Sequence, residues 1–219
     1  MKRVLLSIVL LVAVSAWIFP IDSTALHFQA DRQDSDEQSL LANIEDSLPL
    51  SSSCATFVQH VLWQSTQDVS YDPSYFSIPY PNGDVPANKG VCVDVPIRGL
   101  RTIGIDLQKL VHEDILSAPS SYRITKTDKS IDHRRCSNLI VYFKRKNQCV
   151  PVSTDENDYR PGDIVFWDIA RGHVGVVTNE KVPGTNRYFL VHNICCGPRK
   201  EDFLFAAPIV CHVSFEKIR

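Results

Sequence analysis

The feature that most constrains this chain lies in its last third, where the apolar pattern takes the length and composition of β-strands. Runs from Asp163 to Asp168, His173 to Asn179, Tyr188 to Asn193 and Ile209 to Glu216 are separated by turn-rich stretches such as VPGTN. β-Branched and aromatic residues crowd these runs, as a pleated and packed surface requires. Upstream the period is helical. Phe57, Val58, Val61 and Leu62 recur at helical spacing behind a Ser-Ser-Ser lead that can cap a helix. Val93, Ile97 and Leu100 share one helical face, with Pro96 tolerable only in the first turn and Gly104 as a stop. Further helices are predicted over 107–116 and 138–146. Helices first and an antiparallel sheet afterwards make an α+β domain.

Composition supports one folded core. The 219 residues are 44% hydrophobic and 22% charged, which excludes global disorder and supplies apolar surface for a sizeable interior. A formal charge of -2 gives no general drive toward nucleic acid or acidic membranes. Nine glycines against thirteen prolines, without an internal period, also dismiss collagen-like and solenoid architectures.

The first residues read as a targeting segment. Lys2 and Arg3 precede an apolar run from Val4 to Val14, followed by the small residues Ser15 and Ala16. That is the layout of a secretory signal peptide, while Trp17, Ile18 and Phe19 prolong the run toward an uncleaved membrane anchor. Residues 1–25 are therefore assigned to a signal peptide or N-terminal anchor. Residues 26–50, acidic and polar, are assigned to a tether, and 51–219 to the folded domain. The expected location is a bacterial periplasm or the cell exterior. In such an oxidising compartment the cysteines, seven in number, invite disulfides. Three bridges would leave one thiol over, and the sequence does not choose among the pairings. Cys136 and Cys149 flank the predicted helix at 138–146 and could staple its ends; Cys195 and Cys196 are expected to bridge to separate partners, Cys54 or Cys211 among them.

Cys92 is the cysteine predicted to sit at or just before a helix N-terminus, where unpaired N–H groups and the helix dipole favour a thiolate. A base for it is available downstream. His173 begins one predicted strand and His192 ends the next, so antiparallel pairing can bring the two imidazoles together. His192 would then orient His173 while His173 withdraws the Cys92 proton.

The order of these residues, a cysteine opening a helix, then PGDIVFW, GHVGVV and YFLVHN, resembles the NlpC-type cell-wall cysteine peptidases, a papain-like family. The resemblance covers about Tyr80 to Ile194. It implies a papain-like α+β fold, a nucleophile at Cys92, a base at His173 and an orienting third residue at His192. It also implies a tyrosine at the oxyanion site, for which Tyr80 is the match, beside backbone N–H groups at the helix start. More closely, the strings YDPSY, YPNGDVP, GVCVDVPIR, GIDLQKLVHEDI, IDHRR, PGDIVFWD and VHNI resemble a bacterial family of unknown function, DUF1287, from about Ala55 to Lys217. Where NlpC-type enzymes usually read Asp-Cys-Ser-Gly, this chain has Val91-Cys92-Val93-Asp94.

Secondary features have plainer readings. Asp94 is expected to pair with Arg98 at i,i+4. Between Ser120 and Val150 the cations Arg123, Lys126, Lys129, Arg134, Arg135, Lys144, Arg145 and Lys146 face only Asp128 and Asp132. Part of this run forms a solvated helix face, but Arg134 and Arg135 could hold substrate carboxylates through bidentate contacts. His112-Glu113-Asp114 lacks the second histidine of a metalloprotease helix, so no metal or cofactor is expected. The expected function is a thiol peptidase or amidase acting on peptidoglycan peptide bonds as a monomer. It would touch a membrane only through a retained anchor. A non-catalytic envelope-binding module on the same fold is the alternative, and a metal-dependent hydrolase a more distant one.

Overall fold

Helices cover one face of a six-stranded antiparallel sheet in the computed structural model, which describes residues 49–218. The targeting segment at 1–25 and all but the last two residues of the tether lie outside the described residues. The serine lead does cap: the Ser51 hydroxyl accepts from the Cys54 N–H at 3.3 Å and starts α1 (Ser52–Gln64). A parallel pair of two-residue strands, β1 (Ser70–Tyr71) and β2 (Lys89–Gly90), brackets the irregular loop foreseen from its tyrosines and prolines. Gln108 secures that loop, donating to the Pro79 carbonyl and accepting from the Gly83 N–H, both at 2.8 Å.

The next helices are α2 (Asp94–Arg101), α3 (Leu107–Ser117), the short α4 (Pro119–Tyr122) and α5 (Cys136–Arg145). Pro96 sits within the first turn of α2, where no intrahelical N–H is missed. The strands run in the order β3-β8-β4-β5-β6-β7, with β3 at Cys149–Val150, β4 at Ile164–Trp167, β5 at His173–Lys181, β6 at Tyr188–His192, β7 at Arg199–Glu201 and β8 at Ile209–Val213. Four of these match the apolar runs. The two edge strands, β3 and β7, escape a periodicity argument because one has two residues and the other is Arg-Lys-Glu.

Alternation along the central strands divides the core. Ile164, Phe166, Val174, Val176, Val191 and Val213 join Phe57, Leu100, Val111, Leu139 and Phe143 of the helices in the larger cluster. Val165, Trp167, Val177 and Leu190 point the other way and bury with Tyr159 and Leu204. Both faces of β4 are thus covered, which explains its unbroken apolar sequence.

Most cations of the basic run are exposed, as a solvated face requires, but two of them also reach a buried carboxylate. Asp114, on α3, accepts from Arg145 Nε at 2.7 Å, Lys146 Nζ at 2.6 Å and the Tyr122 hydroxyl at 2.6 Å. Burial opposes the charge on Asp114, but these donors hold its carboxyl down to about 2. The cysteines also pair otherwise than expected. All seven are thiols, with Cys149 and Cys211 Sγ at 2.9 Å, Cys195 and Cys196 at 2.7 Å, and Cys92 and Cys136 at 3.9 Å. A Cys136–Cys149 staple is therefore corrected: the first faces α2 and the second faces β8. Cys195 lies against its own neighbour, and Cys54 donates to the Pro161 carbonyl at 3.2 Å. Burial, with Asp163 and Glu216 nearby, pushes the Cys54 thiol up to about 11, so it is an inert core group.

Candidate active site

Cys92 lies in the turn that opens α2, two residues before the first helical residue, with its carbonyl accepting from the Val95 N–H at 3.3 Å. The turn is fastened by Asp94, whose Oδ2 accepts from the Val91 N–H at 2.7 Å. Arg134, in a 3₁₀ turn at Asp132–Arg134, grips the same carboxylate in bidentate fashion at 2.9 and 2.8 Å. The side chains of the pair are 3% and 4% exposed. Two expectations are corrected here. Arg98 pairs with Asp84 at 2.9 Å rather than with Asp94, and Arg134 is committed to Asp94 beneath the surface, out of reach of a substrate carboxylate. Arg135, the next residue, remains exposed.

His173 enters the sheet from the turn Ala170-Arg171-Gly172. Gly172 has φ +95°, and a Cβ there would lie 2.8 Å from the Cys136 Cβ, so only glycine lets β5 start this close to α5. The Cys92 thiol is drawn well below the ordinary thiol range, to about 5. A hydrogen bond from Cys136 contributes most; burial opposes; His173 and the Val174 N–H add to the lowering. Cys92 is 7% exposed, so the sulfur is enclosed rather than at the surface.

The strand register then builds a chain of hydrogen bonds. His192 pairs across from Gly175, two residues beyond His173 on β5, which makes the two histidines diagonal neighbours on one face. His173 Nε2 lies 2.9 Å from His192 Nδ1, and His192 Nε2 lies 3.0 Å from Glu201 Oε2. A Cβ at position 175 would meet both the His192 Cβ and the Val191 carbonyl at 3.1 Å, so glycine there leaves the second imidazole its place. Burial and the neighbouring His173 lower His192 to about 4, against the pull of Glu201. A neutral imidazole has one donor and one acceptor, and Glu201 only accepts. His192 therefore carries its proton on Nε2 and accepts from His173 on Nδ1. That leaves His173 Nδ1 for the thiol. Trp167 and Phe203 wall the relay: the Phe203 ring packs at a tilt 4.2 Å from His192, and Trp167 lies 5.7 Å from His173. The Trp167 indole N–H donates to the Leu204 carbonyl at 2.9 Å, which fixes that wall.

Cys92, His173 and His192 are thus brought together, while Tyr80 is placed elsewhere. Its ring meets the edge of His112 at 5.2 Å, with Lys129 Nζ 5.4 Å from its centre. Another tyrosine, Tyr71 on β1, is near enough for the charge of Cys92 to act on its phenol. Burial raises its phenol first, and the charges of Cys92, Cys136 and Asp94 raise it further, so it stays a donor. Sequence reasoning missed both Tyr71 and Glu201. The string YDPSY flagged the first only as a family match, and nothing in Arg-Lys-Glu distinguishes the second.

Fold and site together define an α+β domain in which a buried thiol, two imidazoles and a carboxylate form one hydrogen-bonded relay. The chain belongs to the family described as a domain of unknown function, DUF1287, whose model matches residues 58–215. It is 43% identical over 152 residues to Uncharacterized protein YijF of Escherichia coli (strain K12), covering 66% of this chain and 73% of that protein. No solved structure matches it.

Proposed function

We propose that the domain is a secreted or periplasmic cysteine amidohydrolase of papain-like type, with peptidoglycan peptide bonds as its substrate. The observation that carries the reading is the relay itself: a lowered thiol in hydrogen-bond reach of an imidazole whose far nitrogen is held by His192 and, beyond it, Glu201. In the proposed reaction the Cys92 thiolate attacks the amide carbonyl carbon, and the oxyanion is met by N–H groups at the start of α2 and by the Tyr71 hydroxyl. His173 protonates the leaving amine from Nδ1, an acyl-enzyme remains, and His173 then deprotonates the water that hydrolyses it. His192 holds the His173 ring and its tautomer throughout; Glu201 does the same for His192. Tyr71 takes the role expected of Tyr80, and exposed Arg135 is the cation left to meet a substrate carboxylate. The envelope location rests on the N-terminal sequence pattern, and the substrate on that location together with the resemblance to NlpC-type peptidases.

Digestion of purified peptidoglycan by the full chain, beside its Cys92→Ala variant, tests this with mass spectrometry of the released fragments. New fragments that require Cys92 are the expected outcome, and their masses identify the bond. Identical fragment patterns for the two proteins would overturn the hydrolase on this substrate and favour the envelope-binding module.

A further inference from the structure

One reactive group beside the nucleophile takes no bond-making part in the proposed hydrolysis. Cys136 opens α5 with its Sγ 3.9 Å from that of Cys92, and both residues are buried, at 6% and 7% exposure. Gly172 makes room for Cys136 at this spot, because any side chain there would strike its Cβ. Cys136 hydrogen-bonds the Cys92 sulfur, but no step of amide hydrolysis draws on a second thiol's own reactivity. We propose that Cys92 and Cys136 are a reversible redox pair, in which a peroxide oxidises Cys92 and Cys136 captures the product as a disulfide that switches the site off.

The steps balance without a further reagent. The Cys92 thiolate attacks one oxygen of ROOH: the S–O bond forms as the O–O bond breaks, sulfur gives up two electrons, and RO⁻ leaves as ROH with a solvent proton. The Cys136 sulfur then attacks the sulfenic sulfur. The S–S bond forms, the S–O bond breaks, and the hydroxide departs as water with the Cys136 proton. Bonded sulfurs lie about 2 Å apart, so the two side chains share a closure of about 2 Å. The geometry also times the second step. Its hydrogen bond to the Cys92 thiolate, burial and that negative charge keep Cys136 protonated, hence unreactive, while Cys92 is reduced. Conversion of Cys92 to a neutral sulfenic acid removes the first and last of these restraints. A dithiol reductant reverses the bond, whereas a nucleophile without a resolving partner proceeds irreversibly to sulfinic acid.

The inference shares the reactive Cys92 thiolate with the hydrolase reading, but its test reads covalent mass and needs no substrate. The full chain is treated with equimolar hydrogen peroxide, its remaining thiols are trapped with iodoacetamide, and the digest is mapped. The expected result is a peptide joining Cys92 to Cys136, with trapping of Cys92 reduced at least tenfold and restored by dithiothreitol. In Cys136→Ser, Cys92 is expected to advance to sulfinic acid that dithiothreitol does not recover. Sulfinic acid at Cys92 of the unaltered protein with no linked peptide would overturn the proposal, as would linkage of Cys92 to another cysteine. The map of the unaltered protein decides the matter alone if Cys136→Ser does not fold. A protein that forms the link but cuts no amide contradicts the hydrolase reading and leaves this one standing.

Discussion

His173→Ala is expected to lower Cys92-dependent peptidoglycan hydrolysis by about 10⁴ to 10⁶ fold, the range found when a member of a nucleophile–base pair is removed. Three losses coincide. The thiol loses the partner that helps hold it ionised, the leaving amine loses its acid, and the deacylating water loses its base. His192 cannot substitute, because its Nδ1 faces the vacated ring and its Nε2 is engaged by Glu201 at 3.0 Å. Fragment release measured under saturating peptidoglycan checks this. A loss smaller than about tenfold would mean that His173 is not the base. Circular dichroism distinguishes a lost base from a lost fold.

The second large effect is on stability. Arg134→Ala is expected to destabilise the domain by about 3 to 5 kcal/mol, the cost of leaving one partner of a buried pair unmatched. Asp94 would keep a single hydrogen bond from the Val91 N–H for a carboxylate that is 4% exposed. Urea unfolding followed by Trp167 fluorescence measures the loss. Asp94→Ala combined with Arg134→Ala should be less destabilised than the sum of the two single variants, since the second change removes the charge that the first left unpaired. A loss under 1 kcal/mol for Arg134→Ala would assign the pair to the weak class of surface bridges. Because this pair fastens the turn that presents Cys92, it gives Arg134 a structural role near the site in place of the substrate contact expected of it.

Legibility followed the physics of each element. β4, β5 and β6 were readable because both of their faces bury apolar residues, and a strand of that kind carries its own signal. Their pairing then placed His173 beside His192, which is why two imidazoles nineteen residues apart could be joined from sequence. Cys92 was readable from the helix it precedes. Glu201 was not, because an exposed edge strand of charged residues has no apolar period and its partner is set only by register. Between Tyr71 and Lys89 the backbone is irregular, so no periodicity says that Tyr80 packs against His112. The Asp94–Arg134 and Cys92–Cys136 pairs join residues 40 and 44 positions apart. Local spacing favoured Arg98 and Cys149 instead, and tertiary packing decided otherwise.

The most direct measurement is the pH dependence of Cys92 alkylation by iodoacetamide, read peptide by peptide. A depressed thiol is reactive above its own pKa and loses reactivity as the pH falls through it. The account predicts a half-maximal rate for Cys92 near pH 5, where its thiol is placed at about 5, with Cys54 unreactive in the same sample up to its value of about 11. A Cys92 profile rising only near the ordinary thiol value of about 8.5 would contradict the activated nucleophile on which the proposed hydrolase rests.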